Sequence, residues 1–247
     1  MEAGLEVMAI TDHDAIGGLA AARRAAPPGL VVLTGAELTC SIDGREAHIL
    51  AYGVDASDPT FALALERFRL QREERARAIV ERLNALGVEM EYAEVAGISG
   101  HGTVGRPHLA QALLARGVVG NLQEAFARFL GRHAPAFVPK PALEPRAAFD
   151  LVCGAGGVPS LAHPGTFHRD DLIPLLAREG LAALEVRHTE HSAAQTDHYD
   201  RMARQLDLLP TGGSDFHGMP GHRSRLGSPA VPRAWADALI ARSGSGG

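Results

Sequence analysis

Short apolar runs that stop abruptly at polar residues set the rhythm of this chain: LEVMAI before TDHD, LVVLTG before AELT, GVPSLA before HPG, LAALEV before RHTEH, and LDLLP before TGGSDFHG. Uninterrupted runs of this length predict strands buried on both faces. Between them, the Ala- and Leu-rich stretches 15–26, 169–180 and 192–207 predict helices. The alternation of strand and helix predicts an α/β fold with a parallel sheet or barrel. In such folds reactive groups collect where strands end and loops begin, so the polar clusters behind the apolar runs are expected to share one site.

Residues 59–86 have a different pattern. Phe61, Leu65, Phe68, Ile79, Leu83 and Leu86 recur at helical spacing among many charges, and Gly87 closes the run. This predicts an amphipathic helix, broken once at most. Further helical sequence over 107–130 leads into the loop GRHAPAFVPKPALEP. A helical insertion subdomain is therefore expected over 58–145, with 1–57 and 146–247 forming the α/β domain. The basic residues between Arg67 and Arg82 alternate with glutamates, which fits a solvated helix face better than an RNA-binding one.

Composition narrows the class. A 247-residue chain with 46% hydrophobic residues can build a sizeable core. Its formal net charge of -5 gives no overall basic field for nucleic acid, although a local basic cleft for a small anion stays compatible. The two cysteines, Cys40 and Cys153, form no CxxC pair, which argues against a zinc ribbon or a disulfide scaffold. No apolar run approaches the roughly 20 residues of a membrane span, and the N-terminus has no signal-peptide pattern, so a cytoplasmic protein is expected.

Histidine carries the chemistry. His13, His48, His163, His188, His191 and His217 stand at or beside the ends of apolar runs, whereas His101, His133, His168, His198 and His222 fall in loops or on polar helix faces. Asp43-Gly44 between alternating runs is a two-residue hairpin signal. Closing that hairpin pairs Thr39 with His48 and makes Glu37 a diagonal neighbour of His48, within reach of a common ion. A carboxylate and an imidazole so placed suit zinc, manganese or iron, or else form a surface cross-strand pair. Asp215 and His217, at i and i+2, project to one side of an extended segment and offer half a metal site. His163, followed by Pro164 and Gly165, reads as a ligand or as a structural histidine. In TDHD, Asp14 could cap the helix that follows. A second theme is cationic: Arg106 and His108 open a helix whose N-terminus favours an anion, and Lys140 sits in the rigid VPKP loop.

The ordered series AITDHD, GAELT with HILAYG, GRPH, VPK, AHPG, EVRHTEH and GGSDFHG closely resembles the PHP (polymerase and histidinol phosphatase) family, across essentially the whole chain. The nearest branch resembles the cytoplasmic nucleoside 3',5'-bisphosphate phosphatases and the related 5'-to-3' exoribonucleases. The resemblance implies a distorted (β/α)7 barrel with a helical insertion and up to three divalent ions (Mn, Fe, Zn or Mg). It implies that Glu37, His48 and His163 hold one ion, that Glu37 bridges to a second bound by Asp215, and that His13 and His217 hold a third. Arg106, His108, Lys140 and His191 match positions that engage phosphate or order the site, with Arg187 and His188 beside them. His191 or His217 is the expected proton donor to the leaving oxygen. The expected substrate is a small phosphate ester or a short oligonucleotide, with no membrane and no obligate protein partner.

Members of that family begin with a strand carrying a His-x-His motif, whereas this chain opens at MEAGLEVMAITDHD. The barrel is therefore expected to lack its first strand, through a start assigned too late or a true truncation. Two alternatives accompany the main expectation: a histidinol-phosphate phosphatase, and a catalytically impaired domain that binds metal or nucleotide.

Overall fold

The computed structural model describes residues 4–99, 104–140, 142–218 and 224–244, so His101 and His222 lie outside the described residues. The chain forms two compact units, one from residues 1–63 and 142–247 and one from residues 64–141.

The first unit is built on a six-stranded mixed sheet whose strands follow one another in chain order. β1 (Val7–Ile10) leads through α1 (Leu19–Ala25) to β2 (Val31–Ile42), which lies parallel to it. β2 then turns at Asp43-Gly44 into β3 (Arg45–Tyr52), antiparallel, with Thr39 opposite His48 as the hairpin rule requires. Both turn residues have positive φ, 51° at Asp43 and 71° at Gly44. That is the backbone of a type I′ turn, whose twist matches the strands it joins. A parallel sheet was the expectation from the apolar runs; the hairpin makes the sheet mixed, because β3 also pairs antiparallel with β4 (Val158–Leu161). From β4 to β5 (Ala183–His188) and β6 (Leu209–Gly213) the pairing is parallel again.

In the second unit and its flanks, α2 (Pro59–Ala85) is a single unbroken helix of 27 residues. Phe61, Leu65, Phe68, Ile79 and Leu83 are buried as their spacing predicts, but Leu86, just past the last turn, is 47% exposed. α3 (Tyr92–Ser99), α4 (Arg106–Ala115) and α5 (Leu122–Ala125) follow, the last running into a π-helical turn at Phe126–Leu130. Leu83, Leu109, Leu113 and Leu130, all fully buried, centre the core of this unit.

α6 (Pro145–Gly154) returns the chain to the sheet. The short α7 (Pro164–Phe167) and then α8 (Ile173–Glu179) lead to β5, α9 (Ala193–Gln205) leads to β6, and α10 (Arg233–Arg242) ends the fold. Leu50, Tyr52, Val158, Ala183 and Leu239 pack together as one core cluster here. Residues of β1 and β6, the two ends of the sheet, line one cavity of about 640 Å3, so the sheet curls round on itself. No helix among the described residues is long and apolar enough to cross a membrane.

Candidate metal centre

The candidate ligands converge on Glu37, which like His48 lies inside a strand rather than at its end. Its carboxylate is buried in the middle of β2, with 9% of the side chain exposed. Oε1 lies 2.8 Å from His48 Nδ1 and 3.3 Å from His163 Nε2, while Oε2 lies 3.3 Å from His13 Nδ1. The two imidazole nitrogens that share Oε1, His48 Nδ1 and His163 Nε2, are themselves 3.2 Å apart.

The local structure explains why these groups meet. The β2–β3 register puts Thr39 opposite His48, which leaves Glu37 on the same strand face and diagonal to it. His13 arrives by an isolated parallel bridge to Glu37, beyond the last regular β1–β2 pair. His163 follows β4 and has a φ of 27°, a conformation non-glycine residues rarely adopt. A short hydrogen bond to a buried carboxyl group holds it there: its backbone N–H donates to Glu185 Oε2 at 2.6 Å.

The hydrogen bonds around this cluster also assign the tautomer of a neutral His163. Thr166 donates its hydroxyl proton to the His163 carbonyl, so its oxygen accepts from His163 Nδ1 at 2.9 Å. A neutral His163 then carries its lone pair on Nε2, facing Glu37. His48 stands between two carboxylates, its Nδ1 2.8 Å from Glu37 Oε1 and its Nε2 3.2 Å from Glu46 Oε1, so a proton on either nitrogen has an acceptor. A carboxylate and two imidazole nitrogens aimed at one point need positive charge among them, a ring proton or a metal ion in its place. His13, Glu37 and His48 offer ligand atoms that all lie within 4.8 Å of one another. The donor set of nitrogen and oxygen is one that divalent zinc, manganese or iron accepts.

Without a metal ion, ring protons supply that positive charge. Burial pushes the Glu37 carboxyl up, but hydrogen bonds from His163 and His48 and the nearby His13 outweigh it and hold the carboxyl well below the usual range. Glu185, in contrast, is pushed up to about 7, with burial as the main cause and His188 and His163 opposing it.

Asp215 and His217, behind β6, line the same cavity as His13, Glu37 and His163. Asp215 has a φ of 48° and its carboxylate lies 3.6 Å from the buried His188 Nε2. His217 Nδ1 bonds to the Asp215 carbonyl at 2.8 Å, which makes Nδ1 the protonated nitrogen and Nε2 the one with a lone pair. His188 is raised: burial works against its charged form, but Asp215 and Glu185 outweigh that.

His191 takes a different place from the one expected. Its Nδ1 donates to the Val186 carbonyl at 3.0 Å and its Nε2 accepts from the Gly165 N–H at 3.1 Å. Both nitrogens are spent on backbone, and burial lowers its pKa, so it braces the turn after His163 as a neutral ring. Arg187 is also a structural clasp, lying 5.3 Å from the centre of the Trp235 ring and donating to the Ala230 carbonyl.

The cationic residues belong to the helical unit. Arg106 donates to the Leu130 carbonyl at 3.3 Å and stands 5.6 Å from the Phe137 ring centre. His108 Nδ1 accepts from the Gly105 N–H at 3.0 Å, so it caps its own helix, and burial lowers its pKa. Lys140 is half-buried in the loop after Val138.

Two contributors escaped sequence reasoning. Glu185 is an acidic residue inside an apolar run, a signal that could have singled it out. Asp14 was expected to cap α1, but that helix starts at Leu19 behind Gly18, and the Asp14 carboxylate accepts from Thr39 instead.

No family profile matches the chain. It is 31% identical to a 5'-3' exoribonuclease of Haemophilus influenzae, covering 87% of this chain and 80% of that protein. It is also 31% identical to a 3',5'-nucleoside bisphosphate phosphatase of Chromobacterium violaceum, over 89% of this chain and 79% of the relative. The crystal structure of a candidate metal-dependent phosphoesterase from Bifidobacterium adolescentis superposes with a TM-score of 0.87 at 31% identity, covering 98% of this chain and 87% of that one.

Proposed function

This chain belongs to the PHP family of metal-dependent phosphoesterases, and from that premise we propose that it hydrolyses a phosphate ester of nucleoside 3',5'-bisphosphates or of the 5' end of a short oligonucleotide. The observation that carries the metal dependence is the convergence of the Glu37 carboxylate with His48 Nδ1 and His163 Nε2 at one point, a donor set that a divalent cation accepts. In this reading His13, Glu37, His48 and His163 hold divalent ions, and Asp215 and His217 supply donors for more, up to three ions in all. Divalent ions held there would neutralise charge on the phosphoryl oxygens and lower the pKa of water.

The chain's own residues supply the rest. Glu37 offers two oxygens on opposite sides, one toward His48 and His163 and one toward His13, so a single carboxylate can serve two ions. Glu185 and His188 orient the ligands His163 and Asp215 from behind. Arg106 and Lys140 are cations of the helical unit with the chemistry to bind a phosphate, Arg106 through guanidinium donors beyond the one used on Leu130. His217 enters as a ligand through Nε2 rather than as a proton donor, and His191 as a brace.

The nucleotide reading is favoured over histidinol phosphate by the two relatives, one named for an exoribonuclease and one for a nucleoside bisphosphate phosphatase. The test is phosphate release with Mn2+ from a nucleoside 3',5'-bisphosphate, a 5'-phosphorylated oligonucleotide and histidinol phosphate, side by side. Release from a nucleotide, abolished by chelator, is expected. No turnover of either nucleotide under Mn2+, Mg2+, Fe2+ or Zn2+ would defeat the proposal, and Mn2+ binding without turnover would favour a binding domain instead.

A further inference from the structure

The regular pairing of β1 with β2 ends at Ile10 opposite Thr34. Past that point β2 continues as half of the hairpin with β3, and nothing in strand pairing obliges residues 11–14 to stay with it. They nevertheless return to β2 at Glu37: Glu37 N–H donates to the Asp12 carbonyl at 3.0 Å, and Asp14 N–H donates to the Glu37 carbonyl at 2.9 Å.

Asp14 completes this return with its side chain. The residue is 3% exposed, and its two carboxylate oxygens grip one residue: Oδ1 accepts from Thr39 N–H at 2.7 Å and Oδ2 from Thr39 Oγ1 at 2.9 Å. Asp14 holds a φ of 50° to do so. Thr39 is itself fully buried, and it is the residue opposite His48 across the hairpin. Its carbonyl accepts from Leu143 N–H at 2.9 Å, which fixes it from a further segment. One carboxylate therefore ties the loop that carries His13 to the strand that carries Glu37, at the register position that faces His48.

We propose that Asp14, acting through Thr39, is a positioning residue that sets His13, Glu37 and His48 at ligand spacing. The proposal rests on the metal-centre reading above. It assigns Asp14 no contact with ion or substrate; the carboxylate matters for its shape, as two acceptors on one planar group.

Isothermal titration of the metal-free chain with Mn2+ tests this, with circular dichroism to establish that each variant is folded. Asp14→Ala and Thr39→Val should each weaken Mn2+ binding, by about 10- to 100-fold, as removal of partners that orient ligands does. Asp14→Asn keeps an acceptor for the Thr39 N–H and a partner for its hydroxyl, so it should restore binding close to that of the unaltered chain. If Asp14→Ala does not fold, Thr39→Val reads the same contact with its shape retained. Folded Asp14→Ala or Thr39→Val that binds Mn2+ as tightly as the unaltered chain overturns the proposal. So does an Asp14→Asn variant as weak as Asp14→Ala, since that would make charge, not position, the cause. An unaltered chain that binds no Mn2+ overturns the metal-centre reading first, and this inference with it.

Discussion

The sheet unit and the helical unit differ most in what they bury. Among the described residues the sheet unit encloses Asp14, Glu37, Thr39, Ser160, Glu185, His188 and Thr211, whereas Arg75 is the buried charged or polar residue of the helical unit. Helical-unit charges pair at the surface instead, as in Arg69 with Glu66 and Glu73, Arg77 with Glu73, and Arg128 with Glu124. Taking a carboxylate out of water costs free energy that packing alone does not require. One unit therefore folds by the ordinary rule of apolar inside and charged outside, and the other departs from that rule with Glu37, Glu185 and His188 buried within electrostatic reach of one another. Buried charge gathered in this way is the kind of departure that functional sites show.

The contrast can be broken in four ways. Glu37→Gln should have the largest effect: with the shared negative charge and one of its two oxygens lost, Mn2+ affinity by titration should fall by more than the roughly 10- to 100-fold that an orienting partner costs. Retained tight binding would show that the buried carboxylate is not the centre of the site. In the helical unit the matching change is Leu113→Ala, which should cost about 2 to 5 kcal/mol in urea unfolding while the folded protein keeps its Mn2+ affinity. A parallel loss of metal binding would mean that the two units are not independent in this respect.

Glu185 gives the pH dependence. Its folded-state pKa, pushed up to about 7 by burial, lies above the ordinary 4.5, so the protonated form is the one folding prefers. Its contribution is fully present below pH 4.5 and is lost as pH rises through about 7. The metal-free protein should lose on the order of 3 kcal/mol from this source across that window. Glu185→Gln, which keeps the acceptor for the His163 N–H, should flatten that part of the profile. Glu37 acts in the opposite sense, since its lowered pKa gives stability that is present above 4.5 and lost as pH falls. The smallest effect belongs to Glu73→Ala on the exposed face of α2: within about 0.5 kcal/mol by thermal melting, since surface ion pairs are worth little.

Much of this was legible in the sequence where local rules govern. The Asp43-Gly44 turn and the alternation on each side of it gave the register that pairs Thr39 with His48, because two-residue turns fix register. The helical spacing of Phe61 to Leu83 gave α2, but that periodicity ran one residue group too far, and Leu86 faces solvent beyond the helix end. Local rules misled where a distant partner won. Asp14 stood in a position that suits a helix cap, yet the carboxylate found two donors on Thr39, a partner no neighbouring residue announces. His191 looked like an acid or a phosphate ligand because it is a histidine at a strand end. Which backbone groups would claim its nitrogens depends on how two turns pack, and no spacing encodes that.

The tight turn at Asp43-Gly44 also bears on how such a protein can change over generations. Successive side chains in a strand alternate faces, so one residue inserted into β3 between the turn and His48 would send the imidazole to the far side of the sheet from Glu37. Lengthening the hairpin by one residue in each strand would leave both on the same face. The Glu37-to-His48 interval can therefore drift in length only in paired steps, and this part of the chain should accept new sequence far more readily than new length.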